Sequence, residues 1–462
     1  MVDLISLVFM AYFCALNLAY LLLNLIGAFS LQRYMRRISS WRLPGDYGRF
    51  EPPVSVLVPA YNEALTIISS LQSVLQLEYH DFEIVVINDG SRDATLEVLM
   101  AHFGLIPYPL PGDLPLSTAT VRGLYRSPRY PNLSVVDKAN GGKADSLNAG
   151  INFARHPIVC CLDADSILQR NSLSHAIEPF LDEKNLVCCG GIVRVANGSR
   201  IENGLLVEAA ISSNWLARFQ TIEYLRAFLF GREGWSPLNA LLIVSGAFGL
   251  FDRSTLIELG GYRVQTIGED MELTVRLHRK LKQMRRPYRI RFISYPVCWT
   301  EVPEDLTTLR IQRIRWQRGL LESLSLNRSL MLNIRGGTVS WLSFPFYVLF
   351  EALGPLFEVS AYLFMAIGGI LGYISAPTVA LFLIVSMGLG ILLSVSALLL
   401  EELSFRVYPT YRQLFTLVLA AIGENLGYRQ LNAWWRLIGT WQWLRGKQSN
   451  WGDMKRKGMG VD

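Results

Sequence analysis

Histidine and cysteine are scarce in this chain of 462 residues, which holds five of one and six of the other. No spacing among them fits a zinc site. Four of the cysteines are the neighbours Cys160-Cys161 and Cys188-Cys189, set inside apolar runs. They read as buried small hydrophobes of a reducing compartment, which excludes a disulfide framework. No basic array is interleaved with base-stacking aromatics, which excludes nucleic acid as a partner. Internal repeats and low-complexity segments are absent. A complete P-loop is also missing: the glycine turn NGGKADSLNAG at 140–150 does not fit G-x-x-x-x-G-K-[ST], so hydrolysis of a nucleoside triphosphate is not favoured.

Charge is missing altogether from residues 4–29, LISLVFMAYFCALNLAYLLLNLIGAF. The run is long enough to cross a hydrocarbon core of about 30 Å. It is too long, and too weakly flanked by basic residues, for a signal peptide. RYMRR at 33–37 places this end in the cytoplasm. Apolar character returns from Trp341 to Leu400, where Gly354-Pro355 divides an interfacial segment, 341–353, from a crossing at 356–374. A further crossing is expected at 376–400. Glu424, Asn425, Arg429 and Arg436 interrupt the last apolar block, 411–444, and a basic tail with Lys447, Lys455, Arg456 and Lys457 follows. Keeping that tail inside requires a hairpin or re-entrant pair. Glu351, Glu358 and Glu424 either line a path through these segments or are paired within them.

The expected organisation is therefore a transmembrane helix at 1–30, an α/β domain at 50–305, interfacial amphipathic helices at 306–353, a transmembrane bundle at 354–446 and a cytosolic tail at 447–462. The net charge of +6 suits anionic lipid or a polyanionic substrate without choosing between them. HRKLKQMRRPYRIR, 278–291, reads as a solvated or membrane-facing helix and turn. The stretch 105–132, rich in proline and glycine, reads as the least ordered part, an insertion between helix and strand.

Three β-rich runs share one anatomy: VSVLVPAYNE (54–63), EIVVINDGSRD (83–93) and IVCCLDADSIL (158–168) each precede a helical pattern. Such alternation predicts a mostly parallel sheet covered on both faces, with ligands bound outside the carboxyl ends of its strands. Those ends carry Tyr61, Asn62 and Glu63, then Asp89, then Asp163 and Asp165. A lone acid there is ordinarily a helix cap. Asp163 and Asp165, at i and i+2, share a side and repel unless a hard divalent cation, Mg²⁺ or Mn²⁺, sits between them with diphosphate oxygens. Lys143, on its glycine turn opening a helix, suits phosphate. Glu269 and Asp270 open the helical pattern after Gly268. They read as dipole-favoured caps, or in Asp270 as a general base toward a hydroxyl.

LRIQRIRWQRGLLESL, 309–324, concentrates cations beside an apolar tail. At about 100° per residue, Gln312, Arg315, Trp316 and Gly319 share one side. Leu309, Ile314, Leu320, Leu321 and Leu324 cluster opposite, interrupted by Arg310, Arg313 and Gln317. One reading is an amphipathic helix on anionic lipid with snorkelling arginines.

Read together, VPAYNE, VINDGS, GGKADSLNAG, LDADS, SGAFGLF, GEDMELTVRLHR and QRIRW resemble the family 2 glycosyltransferases. The likeness is to the membrane-embedded, processive group with cellulose, hyaluronan and poly-β-1,6-N-acetylglucosamine synthases. The resemblance implies a cytosolic GT-A domain, Rossmann-like, between N- and C-terminal transmembrane helices in a multi-pass protein of the inner membrane. It implies that Tyr61, Glu63, Asp89, Lys143 and Asp163 bind the nucleotide of a UDP-sugar, UDP-N-acetylglucosamine or UDP-glucose. Asp163 and Asp165 would hold the metal, and Asp270, beside Glu269, would be the base. Gln312, Arg315 and Trp316 match Gln-x-x-Arg-Trp and would meet diphosphate and acceptor. Gly268 stands where the family usually has Thr or Ser. The implied partners are the donor, a growing β-linked polysaccharide and the bilayer, while any export partner is left open. Alternatives are transfer of one sugar to a lipid carrier, or a catalytically silent receptor of the same fold.

Overall fold

Runs such as VSVLVPA place an apolar residue at nearly every position, and only a strand covered on both faces can bury all of them. The computed structural model describes residues 2–41, 51–408 and 410–446; the basic tail expected at 447–462 lies outside these. The chain divides into two compact units, one of residues 51–209 and 241–301, the other of residues 2–37, 210–240 and 302–446.

The first unit is built on strands β1 (Val54–Ala60), β2 (Phe82–Asn88), β3 (Ile106–Tyr108), β4 (Val121–Arg126), β5 (Leu133–Lys138), β6 (Ile158–Leu162), β7 (Ile167–Leu168) and β8 (Leu186–Val195). After them come β9 (Arg200–Glu202), β10 (Leu205–Glu208), β11 (Phe248–Asp252) and β12 (Arg289–Thr300). Ten of these form one sheet in the order β3-β4-β5-β2-β1-β6-β11-β8-β12-β7, and β9 and β10 pair separately. The expected parallel pairing holds across β5, β2, β1 and β6. Beyond that core β4 and β11 run antiparallel to their neighbours, so the sheet is mixed. Apolar runs show that a strand is covered, whereas its direction depends on the connection that delivers it. The proline-rich insertion at 105–132 supplies β3 and β4 at the sheet edge, where Pro107 interrupts no central ladder.

Around this sheet the helices Ile67–Leu75, Thr95–Phe103, Lys143–Phe153, Ser172–Asp182 and Glu269–Gln283 follow strand ends or turns. Within the run 278–291, His278 is buried. Its Nδ1 lies 2.7 Å from the Tyr288 hydroxyl and its Nε2 2.8 Å from the Leu241 carbonyl oxygen. Burial lowers its pKa to about 4.

The second unit is helical. Val2–Arg36 and Ala376–Ser404 are long and apolar enough to cross a membrane. Val339–Ala352 and Gly354–Ile370 meet at 42°, a third crossing if they form one span, with the bend at the expected Gly354-Pro355. The block 411–444 is broken into Tyr411–Gly423 and Arg429–Leu444 by non-helical backbone at Leu426 and Gly427. Phe13, Ala361, Met365 and Phe382 form an apolar core. Of the three acids expected to line a path or be paired, Glu351 pairs with Arg436 (3.0 Å) and the Tyr20 hydroxyl, and Glu424 with Arg226 and Ser394.

Candidate active site

At the end of β1 the chain turns through Asn62, whose φ of 57° suits asparagine. Its side-chain oxygen accepts the Arg92 N–H at 2.8 Å, while the Glu63 N–H donates to the Thr95 hydroxyl at 2.9 Å. The loops after β1 and β2 are thus laced together. Tyr61 is partly exposed, and the Glu63 carboxylate accepts the Thr66 hydroxyl at 2.6 Å.

Asp89, which follows β2 directly, is only 3% exposed. Its carboxylate accepts the N–H groups of Gly141 (2.9 Å) and Gly142 (2.8 Å) and pairs with Lys138 Nζ at 2.5 Å. Lys138 reaches Asp145 as well, at 2.6 Å. Asp89 therefore shapes the glycine turn that presents Lys143. At Gly141 a Cβ would stand 2.4 Å from the Asp145 carboxylate, so only glycine fits.

Lys143 opens the helix Lys143–Phe153, and its ammonium group lies 2.5 Å from Asp163 Oδ1 and 3.6 Å from Glu269 Oε1. It also donates to the Gly246 carbonyl oxygen at 3.4 Å, and the Gly246 N–H donates to Asp270 Oδ2 at 3.1 Å. Groups from four separate segments thus meet. Burial works against the charge on Lys143, and Asp163 and Glu269 outweigh it, holding the pKa above the ordinary lysine range. Burial pushes Glu269 up to about 7, against the pull of Lys143 and with the repulsion of Asp270. Asp165 is buried. Burial raises the pKa of the Cys298 thiol, and Asp163 and Asp165 both push the same way.

The helix Glu269–Gln283 is fixed by a buried ion pair one turn in. Arg276 Nε stands 3.0 Å from Glu272 and its Nη groups donate to the carbonyl oxygens of Leu259 and Gly261. Among the described residues no group of three or more His, Cys, Asp or Glu side chains is placed to hold a metal ion. Asp163 and Asp165 are two hard oxygen donors, so any cation held there needs further oxygens from a ligand or water.

Gln312, Arg315 and Trp316 belong to the helical unit, on the helix Leu306–Leu326. Gln312 is buried, Arg315 half-buried and Trp316 43% exposed. Of the residues that interrupt the apolar arc of this helix, Arg310 is exposed and the other two do not snorkel. Arg313 is buried and pairs with Glu223 at 2.8 Å; Gln317 donates to the Ala352 carbonyl oxygen at 3.0 Å. Gly439 admits a close helix crossing, since a Cβ there would lie 2.9 Å from the Ile314 carbonyl oxygen.

Two family models match: Glycosyl transferase family 2 over residues 55–256 and Glycosyl transferase family group 2 over residues 158–395, more than half of the chain. The chain belongs to glycosyl transferase family group 2. It is similar to the poly-beta-1,6-N-acetyl-D-glucosamine synthase of Staphylococcus aureus (strain COL), 31% identical over 299 residues, which are 64% of this chain and 60% of that protein. The synthase of the same name from Staphylococcus epidermidis is 32% identical over 267 residues, 58% of this chain and 54% of that protein. The chain thus spans about 60% of the length of the curated relatives it matches. The fold is similar to that of the mannosyltransferase PcManGT from Pyrobaculum calidifontis, solved with GDP-Man and Mn²⁺. The TM-score is 0.53 and the identity 21%, over 91% of this chain and 99% of that one.

Within this glycosyl transferase, four of the residues that the sequence offers for the site, Lys143, Asp163, Glu269 and Asp270, are gathered together. Lys138 is not among those offered, its only signal being a charge at the end of the apolar run LSVVDK. The role of Gly246 was also unforeseen, although its motif SGAFGLF stood out.

Proposed function

We propose that this chain transfers a hexosyl unit from a UDP-sugar, UDP-N-acetylglucosamine or UDP-glucose, to a growing β-linked polysaccharide at the inner face of the membrane, with inversion. The carrying observation is the convergence of Lys143, Asp163, Glu269 and Asp270 beyond the ends of sheet strands. Membership of the family supports glycosyl transfer, and likeness to two synthases of a β-1,6-linked polymer supports a polymeric product.

In this reading Tyr61, Glu63 and the turn shaped by Asp89 receive the nucleoside. Lys143 carries charge that turns from Asp163 toward the donor diphosphate. Asp270 takes the proton of an acceptor hydroxyl, whose oxygen bonds to the anomeric carbon as the bond to the diphosphate breaks. The electron pair leaves on UDP, and an α-linked donor gives a β-linked product. Asp163 and Asp165 would hold Mg²⁺ or Mn²⁺, which stabilises charge on the leaving diphosphate. Gln312 and Arg315 would serve the diphosphate, and the exposed Trp316 offers an apolar face to an acceptor sugar. Helices long and apolar enough to cross a membrane support work at a membrane surface, and in this reading the chain is multi-pass with the domain boundaries given above.

The test is reconstitution of the full chain in lipid with a panel of UDP-sugars and divalent metals. UDP release is recorded, and products are digested with linkage-specific glycosidases. A β-linked polymer is expected; a single sugar on lipid, or no UDP release with any donor, overturns the reading.

A further inference from the structure

The helix Leu306–Leu326 carries a buried cation that the proposed chemistry does not use. Arg313 is 3% exposed, and its Nη2 lies 2.8 Å from Glu223 Oε2 on the helix Trp215–Arg226. The same carboxylate oxygen accepts the Tyr428 hydroxyl at 3.0 Å, and Arg313 Nη2 lies 3.3 Å from that hydroxyl oxygen. Two groups from two other segments, Glu223 and Tyr428, therefore hold one guanidinium in place. Its Cζ lies over the Trp316 ring, 4.4 Å from the centre of the indole. A guanidinium at that distance is attracted to the ring and restricts its plane.

We propose that Glu223 and Tyr428 are positioning residues that act through Arg313 to set the plane of the Trp316 indole. The inference rests on the reading of Trp316 as the acceptor platform. An exposed tryptophan is free to rock about its side-chain torsions, and a sugar face is recognised only when the ring is still. Lysine at 313 keeps the charge without the planar fork, so it preserves the pair with Glu223 and loses the stacking.

The full chain is labelled with fluorotryptophan in lipid nanodiscs, and the Trp316 fluorine resonance is assigned with Trp316→Phe. Glu223→Gln and Arg313→Lys are expected to shift or broaden that resonance and to raise the KM for an acceptor oligosaccharide about fivefold, the loss of roughly one cation–π contact. Tyr428→Phe, which removes only a hydroxyl, is expected to do the same to a smaller extent. The exchange Glu223→Arg with Arg313→Glu restores the pair and the melting temperature. It leaves the resonance displaced, because a carboxylate does not stack on the ring. An unmoved Trp316 resonance in Glu223→Gln and Tyr428→Phe overturns the inference. A shifted resonance supports it even where Trp316→Ala leaves acceptor KM unchanged, in which case it is the platform reading that falls.

Discussion

Lys143 Nζ stands 2.5 Å from Asp163 Oδ1 and 3.6 Å from Glu269 Oε1, so one ammonium group ties the end of β6 to the first turn of the helix Glu269–Gln283. Without it, Asp163, Glu269 and Asp270 would repel. An incoming diphosphate offers the same cation a second set of oxygens. The Gly246 segment keeps Lys143 within reach of both: a Cβ at Gly246 would lie 2.8 Å from Nζ. Gly246→Ala should displace the flexible end of Lys143 at little cost to folding. We expect kcat/KM for the donor to fall about tenfold, as misplacement of a positioned group does, with an unchanged melting temperature.

Asp270→Asn keeps the side chain's size and a carbonyl-type acceptor toward the Gly246 N–H, but removes the basic oxygen. Donor binding measured calorimetrically should persist. Transfer should fall about 10²–10⁴-fold, the usual contribution of a general base. Near-normal turnover would remove Asp270 from that role.

Glu269 provides a pH test in the absence of donor. Its folded pKa of about 7 lies above the ordinary value of 4.5. The folded state therefore binds this proton more tightly than the unfolded one. The stability linked to it is complete below 4.5 and is lost as pH rises through 7. Glu269→Gln cannot ionise. Its melting temperature relative to the parent should climb between pH 4.5 and 7, by up to about 3 kcal/mol of stability, and a flat difference would contradict the assignment.

Asp89 is expected to behave as a structural acid as well as part of the nucleotide site. Asp89→Ala leaves the Gly141 and Gly142 N–H groups without their acceptor and deprives the buried Lys138 of one of its two carboxylates. Breaking a buried pair on one side costs about 3–5 kcal/mol, and the surviving Asp145 should hold the loss near the lower figure. Denaturant unfolding measures it directly.

Trp316→Ala should reduce chain elongation more than donor hydrolysis, because an acceptor surface serves only the first. Equal losses in single-turnover assays of the two would argue against an acceptor platform.

The sequence made the acid-bearing strand ends legible because both signals are local. An apolar run specifies a covered strand, and the residue after it must stand at the rim. Asp163 and Asp165 are readable in this way, and Lys143 from the glycine turn that opens its helix. The buried role of Asp89 was not, since VINDGS gives no sign that Lys138 would arrive from a strand paired fifty residues later. Arg313 misled for a related reason. A cation in the apolar arc of a helix looks like a snorkelling surface residue until Glu223, ninety residues earlier, is brought against it.

By itself, then, the order of residues determined the family, the parallel core of the sheet, the apolar helices and most of the acids at the rim. The family follows from the likeness of its motifs, and the rest from periodicity and chemistry along the chain. Only tertiary structure decided which charges neutralise one another: Lys143 with Asp163, Lys138 with Asp89 and Asp145, Arg313 with Glu223. A buried charge is tolerated only beside its partner, and that partner is set by how distant segments pack.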